Sequence, residues 1–369
     1  MSFPDTKRVL VVGAAGGVGR LICKEVMRLL KPGSLVVGDY KIGRAERFAK
    51  SLGKDVAFCH VDVRNQKSID SAIENVHAVI VATLQKEPLI QIECLSHQIP
   101  CLDITIHQEF ISKVNELDSQ AKSKDTGLLL MAGLFPGLSG IIVKSAAEKM
   151  SSISSIDVGL LQNTKASVGA SGLADMLRMF NQTANLNMGS EKQQVPGFSA
   201  KKVMTFPEPF GDKKMRRVSF IEEKIVSKKL KVSEVNFWTA FEKESFNLLV
   251  SALNKTGAFK IFDQKNKGLK LAKIVNFLKK AGVSKTETAG VMAIVSGQKD
   301  GQPYTSQITA MVPSDYGTTA MCAAAMTKLI LDGNVVVKGV KYPFEVFSLD
   351  QLLDTIDCED INLYSRHVA

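Results

Sequence analysis

Lys7-Arg-Val-Leu-Val-Val-Gly13-Ala-Ala-Gly16-Gly-Val-Gly19-Arg20 decides how the rest of the chain is read. Val9 to Val12 form a short apolar, β-branched run, the pattern of a strand buried on both faces. Glycines follow at 13, 16 and 19, and Val18, Leu21, Ile22, Val26 and Leu29 then recur at helical spacing. Strand, glycine-rich turn and helix are the context in which a glycine fingerprint holds a dinucleotide. Gly13 would turn the chain off the strand, Gly16 would let the backbone approach a pyrophosphate, and Gly19 would let the helix pack closely on the sheet. The helix start then offers free N–H groups and a partial positive charge. The expected phosphate-binding residues are Gly13, Ala14, Ala15, Gly16, Gly17, Val18 and Gly19. The spacing is G-x-x-G-x-x-G, not the strict G-x-G-x-x-G, so a tight turn that binds nothing stays open at this point.

The next apolar run, Ser34-Leu-Val-Val-Gly-Asp39, ends in an acid twenty residues past Gly19. A carboxylate there accepts hydrogen bonds from the ribose hydroxyls of NAD. It would equally serve as the N-cap of the following helix. Lys41 and Arg44 lie close by, and a cation near that acid holds a 2′-phosphate instead. NAD is the expected cofactor, with NADP as the alternative.

Working outward, apolar runs recur at 55–61, 77–83, 100–104 and 128–131, with helical patterns between them. That alternation predicts a doubly wound parallel sheet of the Rossmann type. Ligands then sit beyond the carboxyl ends of the strands, so the loops after residues 39, 62, 83, 103 and 131 share one rim. Two acid–base candidates lie on it, Asp103 and His107. Asp103 has a second reading, as a cap for backbone N–H groups of the segment behind it. A loop histidine such as His107 has a plain one, no chemical role. Tyr316 is a further candidate, with core packing as its other reading. Cys101 lies inside a strand, which argues against a reactive thiolate.

The rhythm breaks at Gly133-Leu-Phe-Pro-Gly137. Strands are expected at Ile153–Leu161, Val218–Val226 and Lys231–Phe237, and a loop-rich stretch at 189–209. Helices are expected from 172 through Asn181, over Thr239–Leu253 and over Leu269–Ala281. A hairpin is expected from Glu287–Gly297 and Gln302–Met311, and an apolar helix over Ala320–Leu331. The fold class is therefore α/β: a Rossmann domain over 1–135 plus 314–369, with an inserted α+β domain over 136–313 for substrate binding or dimerisation. A homodimer is the expected assembly.

The chain has 369 residues, 45% of them hydrophobic and 23% charged, the balance of an ordinary globular protein. No apolar run approaches the ~20 residues of a membrane span, and no signal-peptide pattern opens the sequence. Six scattered cysteines with no C-x-x-C pair argue for free thiols in a reducing, cytoplasmic setting, not a disulfide or zinc framework. The five histidines show no metal-ligand spacing, so no metal is expected. The net charge is +10, and residues 201–285 carry 20 Lys and Arg against 8 Asp and Glu. This block reads as a solvated basic surface, or as one that draws an anionic substrate through Lys213, Lys214, Arg216 or Arg217. No nucleic-acid motif accompanies it. A peripheral membrane or nucleic-acid binder is the third reading.

The assembled motifs resemble the saccharopine dehydrogenase-like oxidoreductases. The resemblance is carried by Val9 to Gly19 with Asp39, by Val61-Asp-Val63, and by Ala78-Val-Ile-Val-Ala82. It continues through Cys94 with Cys101-Leu-Asp-Ile-Thr105 and Ala132-Gly-Leu-Phe-Pro-Gly137. It ends with Tyr316-Gly-Thr-Thr-Ala320 and Gly339-Val-Lys-Tyr-Pro343. It implies a chain that leaves the Rossmann domain and returns near its C-terminus, with the tail packed back on that domain. It implies NAD(P)-linked redox chemistry at a carbon–nitrogen bond of an amino-acid- or polyamine-like small molecule. It carries over the glycine loop, Asp39 and Asp62 as cofactor positions, with Tyr40, Arg44, Val63 and Ala82 around them and Thr83 near the nicotinamide. Residues 189–285 match the family only loosely, which leaves the substrate open. The alternative function is a dinucleotide-binding sensor or scaffold without turnover.

Overall fold

The computed structural model describes residues 6–163, 179–180, 182–188, 191–255 and 288–368. The chain divides into two compact units. Met1–Ile141 and Tyr316–Cys358 make the first; Ile142–Asp315 and Glu359–Ala369 make the second.

The first unit is built on seven parallel strands. Six are β1 (Val9–Val12), β2 (Leu35–Asp39), β3 (Ala57–His60), β4 (Ala78–Val81), β5 (Cys101–Asp103) and β6 (Gly127–Leu130). The seventh, Gly339–Lys341, pairs with β6 at one edge. The order across the sheet is Gly339–Lys341, β6, β5, β4, β1, β2, β3. The chain runs outward from β1 to β2 and β3, then returns to lay β4 against the other side of β1. The crevice of such a sheet opens where the order reverses, here between β1 and β4. Strands this short and this apolar need cover on both faces. Val9 to Val12 and Ala78 to Val81 are fully buried. The helix Gly17–Leu29 contributes Ile22, Cys23 and Val26 to the core against Val9, Val11 and Val37. The returning helix Asp315–Leu331 adds Ala320, Ala323 and Ala324 to the same core. Its small side chains let the helix backbone approach the sheet. Among the described residues, no helix is long and apolar enough to cross a membrane.

All six cysteines are free. Burial pushes the thiols of Cys23 and Cys322 up to about 12 and that of Cys59 up to about 11. Cys101 is raised well above the usual thiol range by the adjoining Cys94 thiol and by burial. Neutral thiols are poor nucleophiles.

The second unit carries a mixed seven-stranded sheet. Its order is Lys201–Phe206, Gly211–Val218, Glu234–Phe241, Ser152–Gln162, Ala289–Lys299, Gln302–Val312, Asn362–Val368. Glu234–Phe241 and Ser152–Gln162 pair in parallel, and the other neighbours are antiparallel. The hairpin turns at Asp300 and Gly301, both with positive φ.

Several expectations change here. Val218–Val226 was expected as a strand, but Ile221–Leu230 is a helix. Glu222 and Glu223 stand in its first turn and Lys228 and Lys229 in its last, the distribution that complements a helix dipole. The helix expected over Thr239–Leu253 begins only at Glu244, because Glu234–Phe241 is a strand buried from Val235 onward. Its aromatic and β-branched side chains pack on a pleated surface better than on a helix. The stretch 189–209 expected as loop holds the strands Glu191–Val195 and Lys201–Phe206. The helix expected over Leu269–Ala281, and most of the one ending at Asn181, lie outside the described residues. The tail does not stay with the first unit to residue 369. The helix Leu349–Ile356 ends at Asp357, whose backbone is left-handed. Asn362–Val368 then adds to the second sheet, from Met311 opposite Asn362 to Thr305 opposite Val368. The open edge of Gln302–Val312 supplies the backbone partners that this polar segment needs.

Four described cations of the basic block have partners within the second unit. Arg216 and Arg217 are fully buried, so the expectation that they capture an anion fails. Arg216 pairs with Glu244 at 2.5 Å. Arg217 pairs with Glu223 at 2.8 Å and donates to the carbonyls of Phe237, Val218 and Asn185. Lys213 donates to the carbonyl of Glu242 at 3.1 Å, and Lys202 pairs with Asp157. A buried guanidinium is stable only with such partners.

Candidate functional site

The carboxyl ends of the parallel strands bring most of the expected site residues to one rim. β1 leads into Gly13, whose N–H donates to the Gly38 carbonyl at 2.9 Å, as does that of Ala14 at 3.0 Å. These bonds fix the glycine turn to the end of β2. On the other side, the Ala82 N–H donates to the Val12 carbonyl at 2.9 Å. Gly13 has φ +79, and a Cβ there would lie 2.9 Å from both the Ala82 oxygen and Thr83 Cβ. Only glycine gives the turn and this approach together. The loops after β1 and β4 therefore meet at the reversal point of the sheet.

Gly16 is the N-cap of the helix Gly17–Leu29 and carries no side chain to cap it. The first N–H groups of a helix have no acceptor inside it, and a side chain usually supplies one. At Gly17 a Cβ would meet nothing within 4 Å, so space lies open beside the helix start. Gly19 is the reverse case. Its Cβ would fall 2.2 Å from the Gly13 carbonyl oxygen, so the helix and the turn are in backbone contact there. Ala14 and Ala15 are buried under the loop, and Val18 is half-buried.

Asp39 ends β2, 1% exposed. Its Oδ1 accepts from the Lys41 N–H at 3.0 Å, and Arg44 clasps both oxygens, Nη2 lying 2.8 Å from each. Lys41 occupies the N-cap position of the next helix, so the N-cap reading of Asp39 does not hold. Beyond β3, Asp62 makes the corresponding fork with Arg64 at 2.9 Å on each oxygen. That hydrogen-bonded guanidinium holds the Asp62 carboxyl below the usual carboxylate range. Arg64 also lies over the Tyr40 ring, 5.1 Å from its centroid, and Tyr40 stands 6.1 Å from the His60 ring. Tyr40 is 55% exposed, an aromatic face open to solvent beside two acids. Val63 is half-buried in the same loop, and Asn65 caps the helix behind it through Ser68 N–H.

Asp103 ends β5 and is also 1% exposed. Its Oδ1 accepts from the Thr105 N–H at 2.8 Å, so the expected backbone cap forms. Its Oδ2 accepts from two amides, Gln91 Nε2 at 2.9 Å and Gln85 Nε2 at 3.2 Å. Burial pushes the carboxyl up to about 7, against these hydrogen bonds and the charge of nearby His107, which pull it down. His107 is half-buried and begins the helix Gln108–Asn115. The two acid–base candidates are thus brought together. Tyr316 is half-buried at the start of the returning helix. Thr319 of that helix accepts from the Leu134 N–H at 3.3 Å, tying it to the loop after β6.

Sequence reasoning missed Gln85, Gln91 and Arg64. Gln91 had a signal: it is a polar residue inside the otherwise apolar Leu89-Ile-Gln-Ile, where burial demands a partner. Gln85 and Arg64 lie in loops where the sequence offers no such contrast.

No protein-family model matches the chain, and no curated protein matches it by sequence. Solved structures do. The chain is similar to apo saccharopine dehydrogenase (L-Glu forming) from Saccharomyces cerevisiae, with a TM-score of 0.71 and 14% identity over 98% of this chain and 100% of that one. It is also similar to homospermidine synthase from Legionella pneumophila in complex with NAD, with a TM-score of 0.63 and 12% identity over 98% of this chain and 91% of that one. At these identities the likeness is one of fold.

Proposed function

We propose that this chain is an NAD(P)-dependent oxidoreductase acting at a carbon–nitrogen bond of an amino-acid- or polyamine-like molecule. One observation carries the dinucleotide part: an uncapped helix start with open space at Gly17, set by backbone contact against Gly13 at the reversal point of a parallel sheet. That cradle fits a pyrophosphate, since free N–H groups and a helix dipole face a site that a side chain would fill. Asp39 at the end of β2 stands where a ribose is held. Both neighbours of similar fold belong to amine-linked chemistry by their names, and one of them was solved with NAD.

The glycine loop from Gly13 to Gly19 would hold the pyrophosphate. Asp39 would take the ribose hydroxyls on its less occupied Oδ2, and Tyr40, Asp62 and Val63 would flank the adenine end. Ala82 and Thr83 would lie beside the nicotinamide, which when bound supplies or accepts a hydride. Asp103 is the proton-holding group in this reading. It has the protonation range that acid–base work at neutral pH requires. Gln85 and Gln91 fix its orientation, and His107 biases it toward the ionised form.

Arg44 is committed to Asp39, and a buried carboxylate repels a 2′-phosphate. NADH is therefore expected to bind more tightly than NADPH. Asp39→Ala should weaken NADH at least tenfold, about 1.4 kcal/mol, and narrow the preference, because Arg44 is released toward a phosphate. Calorimetric titration of wild type and variant with each dinucleotide checks this. Tight NADPH binding to the wild type would reassign the selection to Arg44 and Lys41. Binding of neither would overturn the dinucleotide reading.

A further inference from the structure

Away from the rim, three potential metal ligands meet on the surface of the first unit. Glu93 and His97 lie one turn apart on and just past the helix Leu89–Ser96, so they share a face. Asp70 comes from the neighbouring helix Gln66–Ile73. His97 Nε2 is 2.9 Å from Asp70 Oδ1 and 3.3 Å from Glu93 Oε1. The three ligand atoms all lie within 4.8 Å of one another. Four ligands around zinc at its usual bond lengths, about 2.0–2.1 Å, stand about 3.3 Å apart. Small movements of the exposed Asp70 and His97 reach that spacing.

Two further features favour a cation. Glu93 is 9% exposed, and its second oxygen accepts from Gln66 Nε2. The carboxylate is thus turned with Oε1 toward His97, the kind of outer hydrogen bond that orients a metal-ligating carboxylate. Charge is the second. Among the described residues no Lys or Arg pairs with Asp70 or Glu93. With a neutral imidazole the cluster carries two negative charges, one of them nearly out of water, and a dication cancels both.

We propose that Asp70, Glu93 and His97 form a surface site for a borderline transition-metal dication such as Zn²⁺, with water completing the coordination. The site uses one imidazole and two carboxylates, a donor set that suits Zn²⁺ better than Mg²⁺. It ties two consecutive crossover helices together. The metal would lie between Nε2 and the two carboxylate oxygens. The spacing of histidines did not reveal it, because the third ligand comes from a different helix.

The test is calorimetric titration of the full chain, stripped with chelator, against Zn²⁺ and Mg²⁺, with Co²⁺ as a spectroscopic probe. One Zn²⁺ per chain is expected at micromolar or tighter affinity, with no Mg²⁺ binding. His97→Gln and the exposed Asp70→Asn should each weaken Zn²⁺ at least tenfold. Bound Co²⁺ should show visible bands without a thiolate charge-transfer band. No saturable Zn²⁺ binding, binding unchanged in both variants, or a thiolate band lost on blocking the cysteines would each overturn the site. In those cases His97 only hydrogen-bonds the two acids.

Discussion

Gly19→Val is expected to abolish dinucleotide binding and to lower stability by about 3 kcal/mol or more. The first added atom already collides. A Cβ on Gly19 would sit 2.2 Å from the Gly13 carbonyl oxygen and 2.9 Å from Ala14 Cα and the Gly13 carbonyl carbon. All three are backbone atoms of the turn. A flexible side chain would swing aside, but these atoms are fixed by the bonds from Gly13 and Ala14 to the Gly38 carbonyl. Relief requires the helix Gly17–Leu29 to move off the sheet, which strips Ile22, Cys23 and Val26 from their core contacts. Overpacking of a well-filled site costs about 1–3 kcal/mol, more where backbone must move. The helix start moves with it, and the proposed phosphate cradle is lost. Gly17→Ala is the control, because its Cβ meets nothing within 4 Å and alanine is the better helix former by about 1 kcal/mol. Urea denaturation of both variants separates the two positions. A Gly19→Val chain as stable as wild type would show that the turn and helix are not in rigid contact.

The difference between these neighbouring glycines marks what the sequence made legible. Their spacing after a β-branched run told of a turn and a helix, because each glycine answers a local backbone need. The parallel sheet was legible for a related reason: β1 and β4 are buried on both faces and read as continuous apolar runs. The rest is set by partners distant in sequence. Glu234–Phe241 carries the same apolar content that a helix would, and its place between Ser152–Gln162 and Gly211–Val218 makes it a strand. Arg216 and Arg217 look like solvated cations in sequence, yet Glu244 and Glu223 draw them inside. Asp39 was placed correctly at the end of β2, but its fork with Arg44 belongs to the fold of the next helix. Asp103 and His107 were legible as rim residues. The two glutamines that hold Asp103 were not, since their role exists only once β4, β5 and the helix Leu89–Ser96 are packed.

Those glutamines lead to the second large effect. The stability of wild type relative to Asp103→Asn is expected to fall by about 4 kcal/mol as pH rises from 4 to 8. In the unfolded chain the Asp103 carboxyl titrates near its ordinary 3.8; in the folded chain burial moves it up to about 7. Between these values the folded state keeps a proton that the unfolded state has released. Stability therefore decreases with pH across that window, by about 1.4 kcal/mol for each unit of separation. Below pH 4 the contribution is fully present, and above 7 it is gone. Asp62 runs the other way, since its lowered carboxyl adds stability that is lost on acidification. Subtracting the Asp103→Asn curve from that of wild type removes Asp62 and leaves Asp103. Asparagine is a fair stand-in for the protonated acid. The Oε1 atoms of Gln85 and Gln91 are both buried without a hydrogen-bond partner. A turned amide would present one of them to the hydroxyl of protonated Asp103, or to Nδ2 of the asparagine. Urea unfolding of both proteins at intervals from pH 4 to 8 measures the difference. A flat difference would mean that Asp103 stays ionised in the folded chain, and it would then be unable to hold a proton for chemistry at the rim. A difference that falls from pH 4 and levels off near 7 would put a proton at the end of β5 at neutral pH, held by two amides and within the influence of His107.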